Sequence, residues 1–151
     1  MEKFSQLVAA AIGAVMSFFC GVPPIMWVLL AAMTLDFVTG LLCGLLGKSP
    51  KTETGGISSK AAFAGLLKKM LIVAVVLLAC LLDWAVSTGA GVAFSAVTGA
   101  TCLWFIASEG ISIVENAAEM GVPIPGILMH ALEAMRKSGE SPEDQQTDDP
   151  Q

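Results

Sequence analysis

The chain has 151 residues, 55% hydrophobic and only 14% charged, with a mean hydropathy of +0.75. A water-soluble domain of this length needs far more charge on its surface, so the composition belongs to a membrane protein. The net charge of −5 misleads, because five of the thirteen acids (Glu140, Glu143, Asp144, Asp148 and Asp149) lie in residues 139–151, which hold no base. The other eight acids balance eight Lys and Arg. The body is neutral and offers no basic face to nucleic acid.

Residues 4–22 form a first apolar segment, just long enough for the roughly 20 residues that a crossing requires. It has the outline of a signal peptide, but Phe18 and Phe19 stand where cleavage needs small residues. The segment is therefore expected to be retained. Gly21 and the pair Pro23-Pro24 end it. A second run, 25–47, carries Asp36 at its middle, and the polar loop KSPKTETGGISSK follows, with Ser58 or Ser59 as the next helix N-cap.

The third run, 61–87, begins amphipathic at Lys68-Lys69 and is wholly apolar from Met70 to Leu82. Asp83 precedes Trp84 near its far end, where a tryptophan fits an interfacial belt. Asp83 is accordingly placed at the headgroups, and Lys68 and Lys69 are expected to snorkel to the opposite interface. The fourth run, 92–113, ends in polar turns, SEGISIVENAAE, before Gly121 and Pro125 break it. A last helix, 124–137, has apolar residues at 124, 127, 128, 131, 132 and 135, with His130, Glu133, Arg136 and Lys137 opposite. That pattern suits a helix lying in the interface or binding a partner. Beyond Ser138 the acidic tail is expected to be disordered.

Orientation follows from the lysines. Lys48, Lys51, Lys60, Lys68 and Lys69 face one acid, Glu53, across the loop and the entry to the third run, so this loop is placed in the cytoplasm. Four spans with both termini cytoplasmic then put Lys3, Arg136 and Lys137 inside as well. Three spans, with the first segment in the interface, is the alternative.

Two faces carry the polar chemistry. On the second run Asp36, Gly40 and Gly44 recur every four residues, with Thr39 beside them, and Gly40 and Gly44 form a GxxxG that lets helices approach closely. This face suits either self-association or packing within the chain. On the fourth run Ser95, Gly99, Glu109, Ser112, Glu115 and Asn116 belong to a small and polar stripe that either packs on a partner or borders water. A carboxylate within hydrocarbon needs a partner or a proton, so Asp36 and Glu109 are expected to be protonated or bonded to each other in a closed assembly. The four cysteines, Cys20, Cys43, Cys80 and Cys102, are widely spaced and form no metal or disulfide pattern. No catalytic set, phosphate loop or metal pair is present, so neither an enzyme nor a cofactor is expected.

The ordered motifs LDFVTGLL (35–42), ISSKAAFAGLLKKM (57–70), LLDW (81–84) and SEGISIVENAAEMGVPIP (108–125) resemble the toxin-secretion/phage-lysis holin family. The resemblance covers residues 5–132. It implies a protein of the bacterial host cytoplasmic membrane that forms homo-oligomers and opens lesions for an endolysin or a toxin. It supplies no catalytic residue. The reading is an all-α membrane protein with four, alternatively three, transmembrane helices and a short C-terminal amphipathic helix. Its units are a bundle at 1–121, an interfacial helix at 122–138 and a tail at 139–151. Its partners are membrane lipid and further copies of the chain, with endolysin as a functional partner. An ion or proton-coupled carrier, and a scaffold recruiting a cytosolic partner through 124–137, remain as alternatives.

Overall fold

The computed structural model describes residues 6, 22–50, 52, 55–91 and 95–139. The first apolar segment, save Gln6 and Val22, lies outside the described residues, as do Lys51 and the tail from residue 140 onward. Four helices follow in order: α1 (Pro24–Leu45), α2 (Ser59–Ala90), α3 (Ala96–Glu119) and α4 (Gly126–Lys137). The described residues are all-helical, without strands. The first three helices have 22, 32 and 24 residues and are long and apolar enough to cross a membrane. At 1.5 Å per residue they measure about 33, 48 and 36 Å, against roughly 30 Å of hydrocarbon.

Local chemistry sets the boundaries. Pro24 opens α1, where a missing N–H costs nothing. Ser58 caps α2, its hydroxyl accepting the Ala61 N–H at 3.4 Å. Gly47 and Gly121, both at positive φ, stop α1 and α3. In each case two N–H groups beyond the helix return to its last carbonyls: Lys48 to Cys43 and Gly47 to Gly44, then Val122 to Ala117 and Gly121 to Ala118. The polar turns that end the fourth run are helical as far as Glu119.

Each long helix turns one seam inward at alternating steps of three and four. On α1 the seam includes Leu29, Met33, Asp36, Gly40 and Cys43; on α2 it is Lys69, Ile72, Val76, Ala79 and Asp83; on α3 it includes Thr98, Cys102, Glu109 and Asn116. Leu29, Met33, Ile72, Val76 and Cys102 form the apolar core. Helix α3 is central, packing on α1, α2 and α4, whereas α1 and α2 meet sparsely. Large apolar side chains elsewhere face outward, Leu71 at 67% and Trp84 at 68% exposure. In water such a surface would aggregate, whereas in lipid it is the solvated face.

Asp83, which the sequence places near the far end of its helix, is buried against α3. The residue at the N-cap position of α3, Ser95, makes no side-chain cap, and Asp83 takes that role from α2. Its Oδ1 accepts the Val97 N–H at 3.1 Å and its Oδ2 the Thr98 N–H at 2.8 Å. Trp84, one residue on, turns outward, which the helical step explains. Helix α4 folds back antiparallel along α3. Leu132 fills the space beside Gly110, where a Cβ would come within 2.7 Å of it, and Trp104 packs on Gly139. Ile127 faces away, at 81% exposure.

Replacing Asp83 with Ala strips two amide donors of α3 of their acceptor. Thermal unfolding in detergent, followed through exposure of the buried Cys102 thiol, is expected to move to lower temperature. Asp83→Asn, which keeps one oxygen acceptor, is expected to lose less. An unchanged midpoint for Asp83→Ala would rule out the capping role.

Candidate functional site

Where the three seams meet, each presents a charged side chain at a core position. Lys69 of α2 donates from Nζ to Asp36 Oδ2 on α1 at 2.8 Å, and also to Glu109 Oε2 on α3. Asn116, one α3 heptad beyond Glu109, donates from Nδ2 to Asp36 Oδ1 at 3.3 Å and to Thr39 Oγ1 at 3.2 Å. The Thr39 hydroxyl donates to the Asp36 carbonyl at 3.1 Å. One ammonium thus ties three helices together, and an amide fastens two of them again a turn or two further along.

Burial is uneven. Glu109 keeps 3% of its side-chain exposure, Asp36 12% and Lys69 11%. With all three groups ionised the cluster carries a formal charge of −1. Buried charges are tolerated only when paired and hydrogen-bonded, and each acid here has an ionic partner. Both carboxylates bond to Lys69, so the pairing runs through an ammonium, where the sequence suggested either protonation or a direct bond between the acids.

Other residues singled out in the sequence fall around this junction or away from it. A Cβ on Gly40 would lie 3.6 Å from Asn116 Nδ2, and one on Gly44 3.3 Å from Ile57, so both glycines pack within the chain. Ser112 and Gly99 are half-buried, while Ser95 and Glu115 are exposed. Lys48, Lys60 and Lys68 are exposed. Lys69 departs from its neighbour and from the snorkelling expected of it. Its position on the line of Ile72, Val76, Ala79 and Asp83 is the signal that distinguishes it from Lys68. Among the described residues no group of three or more His, Cys, Asp or Glu could hold a metal. Cys43, Cys80 and Cys102 are free thiols.

Residues 13–137 match the bacteriophage holin family. A probable holin of Bacillus phage phi105 is 33% identical over 114 residues, covering 76% of this chain and 73% of the phage protein. An uncharacterized protein of Clostridium perfringens is 36% identical over 107 residues, 71% of each chain. One of Halalkalibacterium halodurans is 31% identical over 138 residues, covering 90% of this chain and 96% of its own. No solved structure matches.

Removing the shared ammonium leaves two buried acids without their counter-charge. Lys69→Met is expected to destabilise the bundle by about 3–5 kcal/mol, the range for breaking a buried ion pair from one side. The triple change Asp36→Leu, Lys69→Met, Glu109→Leu removes all three charges and is expected to recover most of that loss. Denaturant titration in detergent measures both. A triple variant no more stable than Lys69→Met would contradict an electrostatic origin.

Proposed function

The chain belongs to the bacteriophage holin family and is a multi-pass membrane protein, and we propose on that premise that it self-assembles in the bacterial cytoplasmic membrane and opens lesions there. The lesions release an endolysin, or in a secretion setting a toxin, and the endolysin needs no direct contact with the chain. Four spans, with residues 4–22 as the first, place both termini and the 46–58 loop in the cytoplasm. Lys48, Lys51, Lys60 and Lys68 support that orientation. Residues 1–121 are the membrane bundle, 122–138 the amphipathic helix and 139–151 the acidic tail.

The observation that carries this reading is the Asp36–Lys69–Glu109 junction within a family-matched chain. Its charges are spent joining membrane-length helices to one another, as expected of a protein whose work is assembly. Asp36, Thr39, Gly40, Glu109 and Asn116 hold the closed bundle, and Gly44, Ser95, Gly99, Ser112 and Glu115 are contacts that rearrange as copies associate. Neither catalysis nor a cofactor is required. An ion carrier is the second reading, since a charged cluster inside a bundle also suits ion passage.

Inducible expression with and without a cytosolic endolysin separates the two. A holin gives abrupt lysis only with the enzyme, and abrupt loss of viability without it. Saturable flux with no sudden depolarisation would replace this reading with the carrier. Asp36→Asn and Glu109→Gln are each expected to shift the time of lysis. Unchanged timing and oligomer size in both would remove the junction from the assembly mechanism.

A further inference from the structure

A groove runs between α1 and α2 from the loop that joins them toward the junction. Gly40 and Gly44 on one side and Ala61 and Gly65 on the other open the space, which Phe37, Leu41 and Ile57 also line. Ser49 and Thr52 line its mouth, and Asp36 and Lys69 form its inner end. The residual exposure of those two side chains, against the near-complete burial of Glu109 behind the ammonium, places the open side of the junction on this groove. Past the junction the character changes. A second groove between the same helices is walled by apolar side chains such as Leu30, Met33, Val73 and Leu77, and the core closes the bundle there.

We infer that the α1–α2 groove is a hydrated crevice, filled with water from the loop end and stopped at Lys69, and that it is the face along which the assembled protein admits water. A cleft with hydroxyls at its mouth and a charged pair at its floor supplies the polar partners that bound water needs. The apolar groove supplies none and stays dry. The crevice also follows the seam of least packing, since α1 and α2 touch little while both are held by α3. Glu109 and Asn116 of the polar stripe on α3, by contrast, are buried inside the bundle. The use of the crevice in lesion opening rests on the holin reading, whereas its hydration does not.

The test is cysteine accessibility in the full chain, with Cys20, Cys43, Cys80 and Cys102 replaced by Ser. Single cysteines are placed at Ser49 (loop), Ala61 and Gly65 (crevice) and Val73 (apolar groove), in sealed membrane vesicles of each orientation. The probe is a charged, membrane-impermeant methanethiosulfonate, read by mass. Gly65 has open space where the new Cβ would go, so Gly65→Cys fits without strain. Only a hydrated thiol ionises and reacts. Ala61→Cys and Gly65→Cys are therefore expected to label from the same side as Ser49→Cys, at least about ten-fold faster than Val73→Cys. Gly65→Cys reacting no faster than Val73→Cys would overturn the crevice. Labelling as expected, with no lysis when the unaltered chain is expressed with endolysin, would instead overturn its role in lesions and leave the crevice standing.

Discussion

A single ammonium shared between two carboxylates fixes how α1, α2 and α3 meet. In lipid the hydrophobic effect gives helices no reason to prefer one another over acyl chains, so close packing and polar contacts decide the arrangement. The apolar core of Leu29, Met33, Ile72, Val76 and Cys102 is small, and a helix could rotate by one step about it at little cost. It cannot do so without taking Asp36, Lys69 or Glu109 away from its partner. The junction therefore sets the rotation of all three helices at once.

The second fixed point is Asp83 on the first turn of α3. It lies fourteen residues beyond Lys69 on the same face of α2, about 21 Å along the axis. Helix α2 is thus pinned to α3 by a cation near one end and an anion near the other, with Ile72, Val76 and Ala79 between. Helix α1 has a different attachment. Its glycines allow close approach to Asn116 and Ile57, and its polar link to α2 passes through Lys69. Beyond that link the two helices share the core contacts of Leu29 and Met33 with Ile72 and Val76, while both pack more extensively on α3.

Much of this was legible from residue spacing. The runs, the break at Gly121, the cap at Ser58 or Ser59 and the grouping of Asp36 with Gly40 and of Glu109 with Asn116 on single faces all follow from helical periodicity and turn chemistry, while the choice between packing within the chain and contact with another copy does not. Lys69 was not, because a Lys-Lys pair beside a polar loop reads as two interfacial cations under the positive-inside pattern. Only its register with Ile72 and Val76 separates it from Lys68, and that register matters once the acids on other helices are known to be near. The inward turn of Asp83 was missed for a related reason: Trp84 marks an interface, but the neighbouring residue on a helix points elsewhere. The fold-back of α4 on α3 depends on a notch at Gly110 that exists only after both helices are in place.

The distribution of buried charge has an electrical consequence. Helix α2 carries one positive and one negative buried group, Lys69 and Asp83, while α1 and α3 each carry one unbalanced negative group in the junction. Moving one charge fully through 100 mV takes about 2.3 kcal/mol. Water that reaches Lys69 through the α1–α2 crevice carries the potential of the loop side to the junction, so a transmembrane voltage falls mainly along the apolar stretch from Ile72 to Ala79. The contact that sets the helix register then sits at the edge of the membrane's electric field.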